Sequence, residues 1–392
     1  MDFEFSESER AFQAELERFL EAHHSPDVMD HQPEQLSQTV DTPPKRAFMR
    51  ALAEQGWLGM SWPREYGGQE RGGVYDFLLT EALSRHGAPQ PGKGVGIVGK
   101  TLIRNGNEKL RSYFLPRIIR GEVEFAIGYS EPNAGSDAAS MSLRATRDEA
   151  RGGWVLNGQK VWTTSAHFAD WYWVGARTDT SHKHKGITLF LIEMRHPGLT
   201  IRPTWTIGDE RTNEVFFDDV FVPDDFVVGE VNRGWTYICE ALDLERFAMM
   251  PVGPLEKKVE ALCEWVVTAT RDGEPLREDP VVRKAIAGIV TQLQVARELQ
   301  RRVVCEAVKG GVPTVESSMY KVYMTELGKR VANQALDLMG ADGTLRAGEA
   351  KAPLCGRFER SYRYTVVDTI GGGASEIQKN IIARRGLGLP PS

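Results

Sequence analysis

The sequence predicts an α+β chain: a helical N-terminal domain, a middle domain of antiparallel strands and a C-terminal helical bundle. Three observations predict it. Apolar residues recur at three- and four-residue steps up to about residue 120. Short β-type runs separated by turn signals then fill residues 125–231. The helical period returns near Arg233 and holds almost to the end. The expected domains are 1–122, 123–232 and 233–392.

The first helix is read from Phe5, Phe12, Leu16, Phe19 and Leu20, which share one face, with Ser6 and Glu9 forming a capping box at its start. Residues 23–44 are polar, carry Pro26, Pro33, Pro43 and Pro44, and predict a loop. Helical spacing resumes over 45–55. A turn-rich aromatic connector, GWLGMSWPREYGG, follows, and then more helices. In the middle domain GWVLNGQKVWTT, WYWVGART, GITLFLIEM, LTIRPTW and EVFFDDVFVP read as strands. Asn157-Gly158 predicts a two-residue hairpin turn. No helices intervene, so an antiparallel sandwich or barrel is expected. Pro251, Pro254, residues 310–313 and residues 340–343 punctuate the last helices.

Composition narrows the function classes. With 392 residues the chain can bury two or three sizeable units. A net charge of −6 argues against a nucleic-acid groove or a polybasic membrane contact, while leaving room for a local basic pocket. Cys239, Cys263, Cys305 and Cys355 show no metal-ligand spacing, so no metal is expected, and the first three read as packed, reduced thiols. The acidic, amphipathic N-terminus is unlike a signal peptide, and no apolar run approaches the ~18–20 residues of a membrane span. A cytoplasmic protein is expected.

Two stretches, AIGYSEPNAGSDAASM (126–141) and LNGQKVWTTSAHFADWY (156–172), resemble the acyl-CoA dehydrogenase family. A third, GGGASEIQKNIIARRGLGLP (371–390), resembles its C-terminal signature. Taken alone, SEPNAGSD reads as a surface turn as readily as a binding loop, and a strand Trp is usually core. The order and spacing of all three carry the likeness over nearly the whole chain. The resemblance implies FAD as cofactor, an acyl-CoA substrate oxidised to the 2,3-enoyl thioester, and a four-helix bundle at the C-terminus. It implies FAD contacts from Tyr129, Ser130 and Ser136, with Ser136 near the pyrophosphate, and from Trp162 beside the ring and Thr164 near N5. It further implies substrate contacts from Ser136, Asp243 and Arg246.

Desaturation needs a carboxylate to take the C2 proton and fixed donors for the thioester oxygen. Most members of the family place that Glu in the C-terminal loop, where this chain has Gly372; Glu376 comes too late in the motif to replace it. Isovaleryl-type members carry the Glu on a helix in a Leu-x-x-Glu-Arg context, which matches Leu242-Asp243-Leu244-Glu245-Arg246. At 100° per residue Ile238, Leu242, Glu245 and Met249 share one helix face, so Glu245 interrupts an apolar stripe, where a carboxylate is costly unless used or paired. Glu245 is the expected base; a salt-bridged Glu at a subunit contact is the alternative.

Other positions depart from the family pattern. Asp337 stands where the family has Gln, ahead of Gly340, and Ala341 replaces a Gly. Ala374 replaces a Thr before Ser375-Glu376. Arg271 is the nearest candidate for an Arg that reaches a partner's FAD, and Asp337, Gly340, Ala374 and Glu376 stand at the other positions where the resemblance implies FAD contacts. These changes fit a divergent homotetramer, or a heterotetramer in which a related chain completes the site. Electron-transfer flavoprotein is the expected acceptor. The alternative functions are a flavin-binding partner subunit and a flavin oxidase or monooxygenase on the same fold.

Overall fold

The computed structural model describes residues 5–31, 34, 40–248, 251–308 and 313–390; for 242–248 and 308 only the backbone is described. The N-terminal helices are α1 (Glu7–Ala22), α2 (Pro43–Glu54), α3 (Gly73–Arg85), α4 (Lys100–Asn105) and α5 (Glu108–Ile119). The capping box of α1 forms as expected: Ser6 N–H donates to Glu9 Oε2 (2.7 Å) and Ser6 Oγ accepts from Glu9 N–H (3.3 Å). Phe12, Leu16, Phe19 and Leu20 are buried on its inner face. The predicted loop ends two residues early, because Thr42 caps α2 and Pro43 and Pro44 occupy its first turn, where a missing N–H costs nothing. A π-helical segment, Gly94–Gly99, leads into α4.

The middle strands are β1 (Phe125–Gly128), β2 (Arg144–Asp148), β3 (Gly153–Lys160), β4 (Trp171–Arg177), β5 (Ile187–Glu193), β6 (Leu199–Trp205), β7 (Arg211–Pro223) and β8 (Val227–Val228). They form one sheet in the order β6-β7-β3-β2-β4-β5-β8, with β1 on β4. Between these strands pairing is antiparallel except for β1 with β4 and one parallel bridge of β2 with β4, Arg144 to Arg177.

One local expectation is overturned. Asn157-Gly158 makes no hairpin; both residues lie inside β3. The register against β7 shifts there, from Leu156↔Val220 to Gly158↔Phe217, so β7 carries one extra residue. The cause lies in β7 itself. Val215, Phe217, Val220 and Val222 are buried, and a strict alternation would not keep all four inside. The exposed pair Asp218-Asp219 absorbs the extra residue, with Asp219 at φ +48°. Asn157 closes the bulge: its Nδ2 donates to Asp219 Oδ1 (3.0 Å) and its Oδ1 accepts from Asp219 N–H (2.9 Å).

The C-terminal helices are α6 (Gly234–Ala248), α7 (Gly253–Thr268), α8 (Pro280–Val308), α9 (Thr314–Met339), α10 (Arg357–Asp368) and α11 (Ser375–Ile381). Leu262, Ile289, Ala296, Leu327, Val331 and Phe358 are among the buried residues of their common core. A short strand pair, β9 (Thr270–Arg271) with β10 (Glu274–Pro275), links α7 to α8. Glu81 of α3 caps α7, accepting from Val252 N–H (3.2 Å) and Gly253 N–H (3.3 Å); burial pushes its carboxyl up to about 7. Among the described residues no helix is long and apolar enough to cross a membrane.

Candidate active site

The first two motifs meet at the end of β3. Val161 N–H donates to Ser130 O (2.9 Å), closing the SEPNAGSD loop onto the strand. Beneath this contact lies a buried ion pair, Lys160 to Glu131 (2.7 Å), with side chains 0% and 3% exposed. Lys160 Nζ also donates to Tyr129 O (3.1 Å). Glu131 also accepts from Ser142 N–H (2.6 Å), Ser142 Oγ (2.8 Å) and Leu143 N–H (2.9 Å). Burial pushes the Glu131 carboxyl up, but the Lys160 charge and these hydrogen bonds outweigh it and hold it below its ordinary range. Burial pushes the Lys160 ammonium down to about 8 against the pull of Glu131. The pair fixes where Tyr129, Ser130 and the rest of the loop stand. Tyr129 is further tied to the sheet by its hydroxyl, which accepts from Trp173 Nε1 (2.8 Å).

The next residues leave the strand. Trp162 has φ +58°, a strained value for a bulky side chain, and its indole is 60% exposed. Its neighbours are pinned on both sides. Thr163 N–H donates to Asn213 O (3.0 Å), Asn213 Nδ2 donates to Thr163 O (2.8 Å) and Thr164 O (3.3 Å), and the Thr163 hydroxyl bonds Tyr172 Oη (2.8 Å). Such a strain persists only where the surroundings impose it. The outcome is an indole presented to solvent on rigid backbone, two residues before half-buried Thr164, while Ser136 of the SEPNAGSD loop is also exposed. A Cβ at Gly135 would meet nothing within 4 Å, so the loop leaves its backbone open to close approach. An uncharged aromatic platform, hydroxyls and open backbone N–H groups fit a flavin.

The third motif begins in the loop between α10 and α11 and runs through α11. Gly372 and Gly373 have φ +65° and +92°, a region that favours glycine. Gly372→Ala is therefore expected to cost about 1–2 kcal/mol. A urea midpoint equal to that of the parent would refute the strain. Gly372 is half-buried, and Ala374 caps α11 from the N-terminal side. Glu376 is exposed in the first turn of α11.

Among the described residues no hydrogen bond or ion pair joins this loop to Trp162 or Thr164. The link is indirect, through the β6–β7 hairpin. Asn213, near the start of β7 and close to the hairpin turn, holds Thr163 and Thr164. At the hairpin tip Arg363 Nη1 donates to Ile207 O (2.5 Å) and Arg360 pairs with Glu210 (3.2 Å), bracing α10.

Glu245, Asp243 and Arg246 belong to α6, but their side chains lie outside the described residues, as does Met249. The described part of α6 buries Ile238 beside Met141 and Gly175, next to the SEPNAGSD loop, and the helix packs against the Gly94–Gly99 segment and α9. The candidates for a partner contact gather at the far end of α9. Arg271 Nη2 donates to Leu338 O (2.7 Å), beside exposed Asp337 and Gly340. Among the described residues no cluster of acidic, His or Cys side chains could hold a metal.

Models of the N-terminal, middle and C-terminal domains of acyl-CoA dehydrogenase match residues 6–122, 126–220 and 232–387. The chain is 32% identical to acyl-CoA dehydrogenase FadE26 of Mycobacterium tuberculosis over 88% of both chains. The chain belongs to the acyl-CoA dehydrogenase family. It is similar in structure to the Tcur3481-Tcur3483 steroid ACAD, with 32% identity, TM-score 0.89 and full coverage of both chains. It is similar to the ChsE4-ChsE5 complex from Mycobacterium tuberculosis at 29% identity and TM-score 0.89, again over both full chains. This acyl-CoA dehydrogenase is an FAD-dependent oxidoreductase of lipid metabolism that oxidises acyl-CoA.

Sequence reasoning missed Lys160, Glu131 and Asn213 as parts of the site. A signal existed for one of them: Lys160 falls at an inward position of β3, in step with buried Trp154 and Leu156.

Proposed function

We propose that Glu245 is the general base, taking the C2 proton of an acyl-CoA, and that the Gly371–Gly373 loop supplies donors to the thioester oxygen. One observation carries the second half. Among the described residues the N–H groups of Gly372, Gly373 and Ala374 have no acceptor, although the carbonyls around them are engaged. Fixed, unspent donors are what a developing enolate oxygen needs. The absence of any acid at Gly372, with Glu376 exposed on α11, supports the helix-borne base. When bound, FAD supplies the acceptor for the hydride leaving C3. Ser130, Ser136 and Thr164 would hold it by hydroxyl and backbone groups, with Trp162 excluding water from one side. Ser136, Asp243 and Arg246 would meet the CoA thioester.

The side-chain-free loop, and Gly96, where an added Cβ would meet no described atom within 4 Å, support a bulky acyl group. Similarity to a steroid ACAD supports the same class. Exposed Arg271, Asp337 and Gly340 support FAD contacts across a subunit boundary. The departures at Asp337, Ala341 and Ala374, with the likeness to the ChsE4-ChsE5 complex, favour a mixed tetramer over a homotetramer. Electron-transfer flavoprotein as acceptor and a cytoplasmic setting complete the reading.

The test is anaerobic bleaching of the yellow protein, alone and with a coexpressed related chain, by isovaleryl, straight-chain and steroid side-chain CoA thioesters. Bleaching is expected to be fastest with a bulky thioester, and heat should release FAD. Release of FMN, or a spectrum unchanged by every thioester in both assemblies, would defeat the proposal.

A further inference from the structure

The Gly371–Gly373 loop has no side chains of its own to pack, so its order must come from outside. Lys321 of α9 supplies much of it. The side chain is 5% exposed, and its Nζ donates to Asp368 O (2.9 Å) and Gly373 O (2.9 Å). One ammonium thus holds the last residue of α10 and the last glycine of the loop, gathering its two ends at one point. A buried ammonium is costly to desolvate and persists only where such acceptors surround it. Its place at the C-terminus of α10 also suits the negative end of that helix.

The remaining anchors act on the same carbonyl edge. Gln378 Nε2 donates to Gly372 O (3.1 Å) and Gly373 O (3.4 Å), and Ser375 N–H donates to Thr369 O (2.9 Å). A Cβ on Gly373 would lie 2.5 Å from Gln378 Nε2, so the approach itself requires glycine. The loop is held by its carbonyls, and the N–H groups of Gly372, Gly373 and Ala374 are what remains.

We propose that Lys321 is a positioning residue for the reaction: by clamping Asp368 O and Gly373 O it fixes the loop with its N–H groups set for the thioester oxygen. This rests on the reading that the loop meets the thioester. It predicts an effect on the polarisation of the bound carbonyl and on turnover, with little effect on substrate affinity.

The experiment compares Lys321→Met, which keeps the stem and loses the donors, with Lys321→Arg, which keeps donors. An aromatic enoyl-CoA, whose absorbance moves to the red when its carbonyl is polarised, is bound to the flavin-loaded protein in the assembly that binds flavin. The parent should show the red shift. In Lys321→Met the shift should collapse and flavin reduction at saturating acyl-CoA should fall on the order of a hundredfold. KM should stay within about threefold and flavin content should stay near the parent's, because neither depends on carbonyl polarisation. Lys321→Arg should recover part of both losses. If Lys321→Met does not fold, Lys321→Gln carries the same comparison. A variant that keeps the full red shift and the parent's reduction rate overturns the role of Lys321. A parent with no red shift overturns the loop reading beneath it.

Discussion

Glu245→Gln is expected to abolish nearly all flavin reduction by acyl-CoA, leaving roughly a hundredth to a ten-thousandth of the parent rate, the usual effect of losing a positioned base. The substitution keeps volume and most hydrogen bonding, so FAD content and the urea midpoint should change little. Glu376→Gln is the control: Glu376 is exposed in the first turn of α11, and its loss should leave the rate within a few-fold. Placing the base instead by Gly372→Glu in the Glu245→Gln background should restore little, because position 372 has φ +65°. Stopped-flow half-reduction under anaerobic conditions decides the matter. A Glu245→Gln protein that reduces as fast as the parent puts the base elsewhere.

Breaking the Lys160–Glu131 pair should have the largest effect on stability. Removing one partner of a buried ion pair leaves a charge in an apolar surround and costs about 3–5 kcal/mol. Glu131→Gln should be worse than Lys160→Met. The glutamate would still hold Ser142 N–H, Ser142 Oγ and Leu143 N–H, whereas the abandoned ammonium would keep Tyr129 O and a long contact to Met141 Sδ. The double variant should recover part of the loss, since no charge is then stranded. Because the pair sets the start of the SEPNAGSD loop, flavin content should fall with stability. Urea unfolding and flavin occupancy measure both; a Glu131→Gln protein destabilised by less than about 1 kcal/mol, with full flavin, would contradict the account.

Much of the fold could be read from local pattern because its causes are local. Ser6 and Glu9 are three residues apart, and the buried face of α1 repeats at helical spacing, so neither needs tertiary knowledge. Asn157-Gly158 failed for the opposite reason: the same dipeptide suits a hairpin or a strand facing a bulge, and the choice was made by Asp218-Asp219, with Asp219 62 residues beyond Asn157 and invisible to a window. The motifs identified the exposed loop ends proposed to face a flavin. The pins behind them, Lys160 on Glu131 and Asn213 on Thr163, are pairings made by the folded sheet. Lys321 did leave a trace, since it shares a buried stripe of α9 with Ser317, Met324, Ala335 and Leu338. It is a charged residue on a buried face, the same irregularity that singled out Glu245.

The β6–β7 hairpin bears on how this chain could be recombined with its relatives. A single hairpin holds the Trp162 segment through Asn213 and, at the adjoining turn, braces α10 through Ile207 and Glu210. A chimera cut at the start of α6 would join a hairpin from one parent to an α10 from the other, and the junction would look clean along the chain while severing the contacts to α10 in space. The inheritable unit is the hairpin together with α10 and its glycine loop, so productive exchange requires crossovers on both sides of 199–223 as well as within the C-terminal helices.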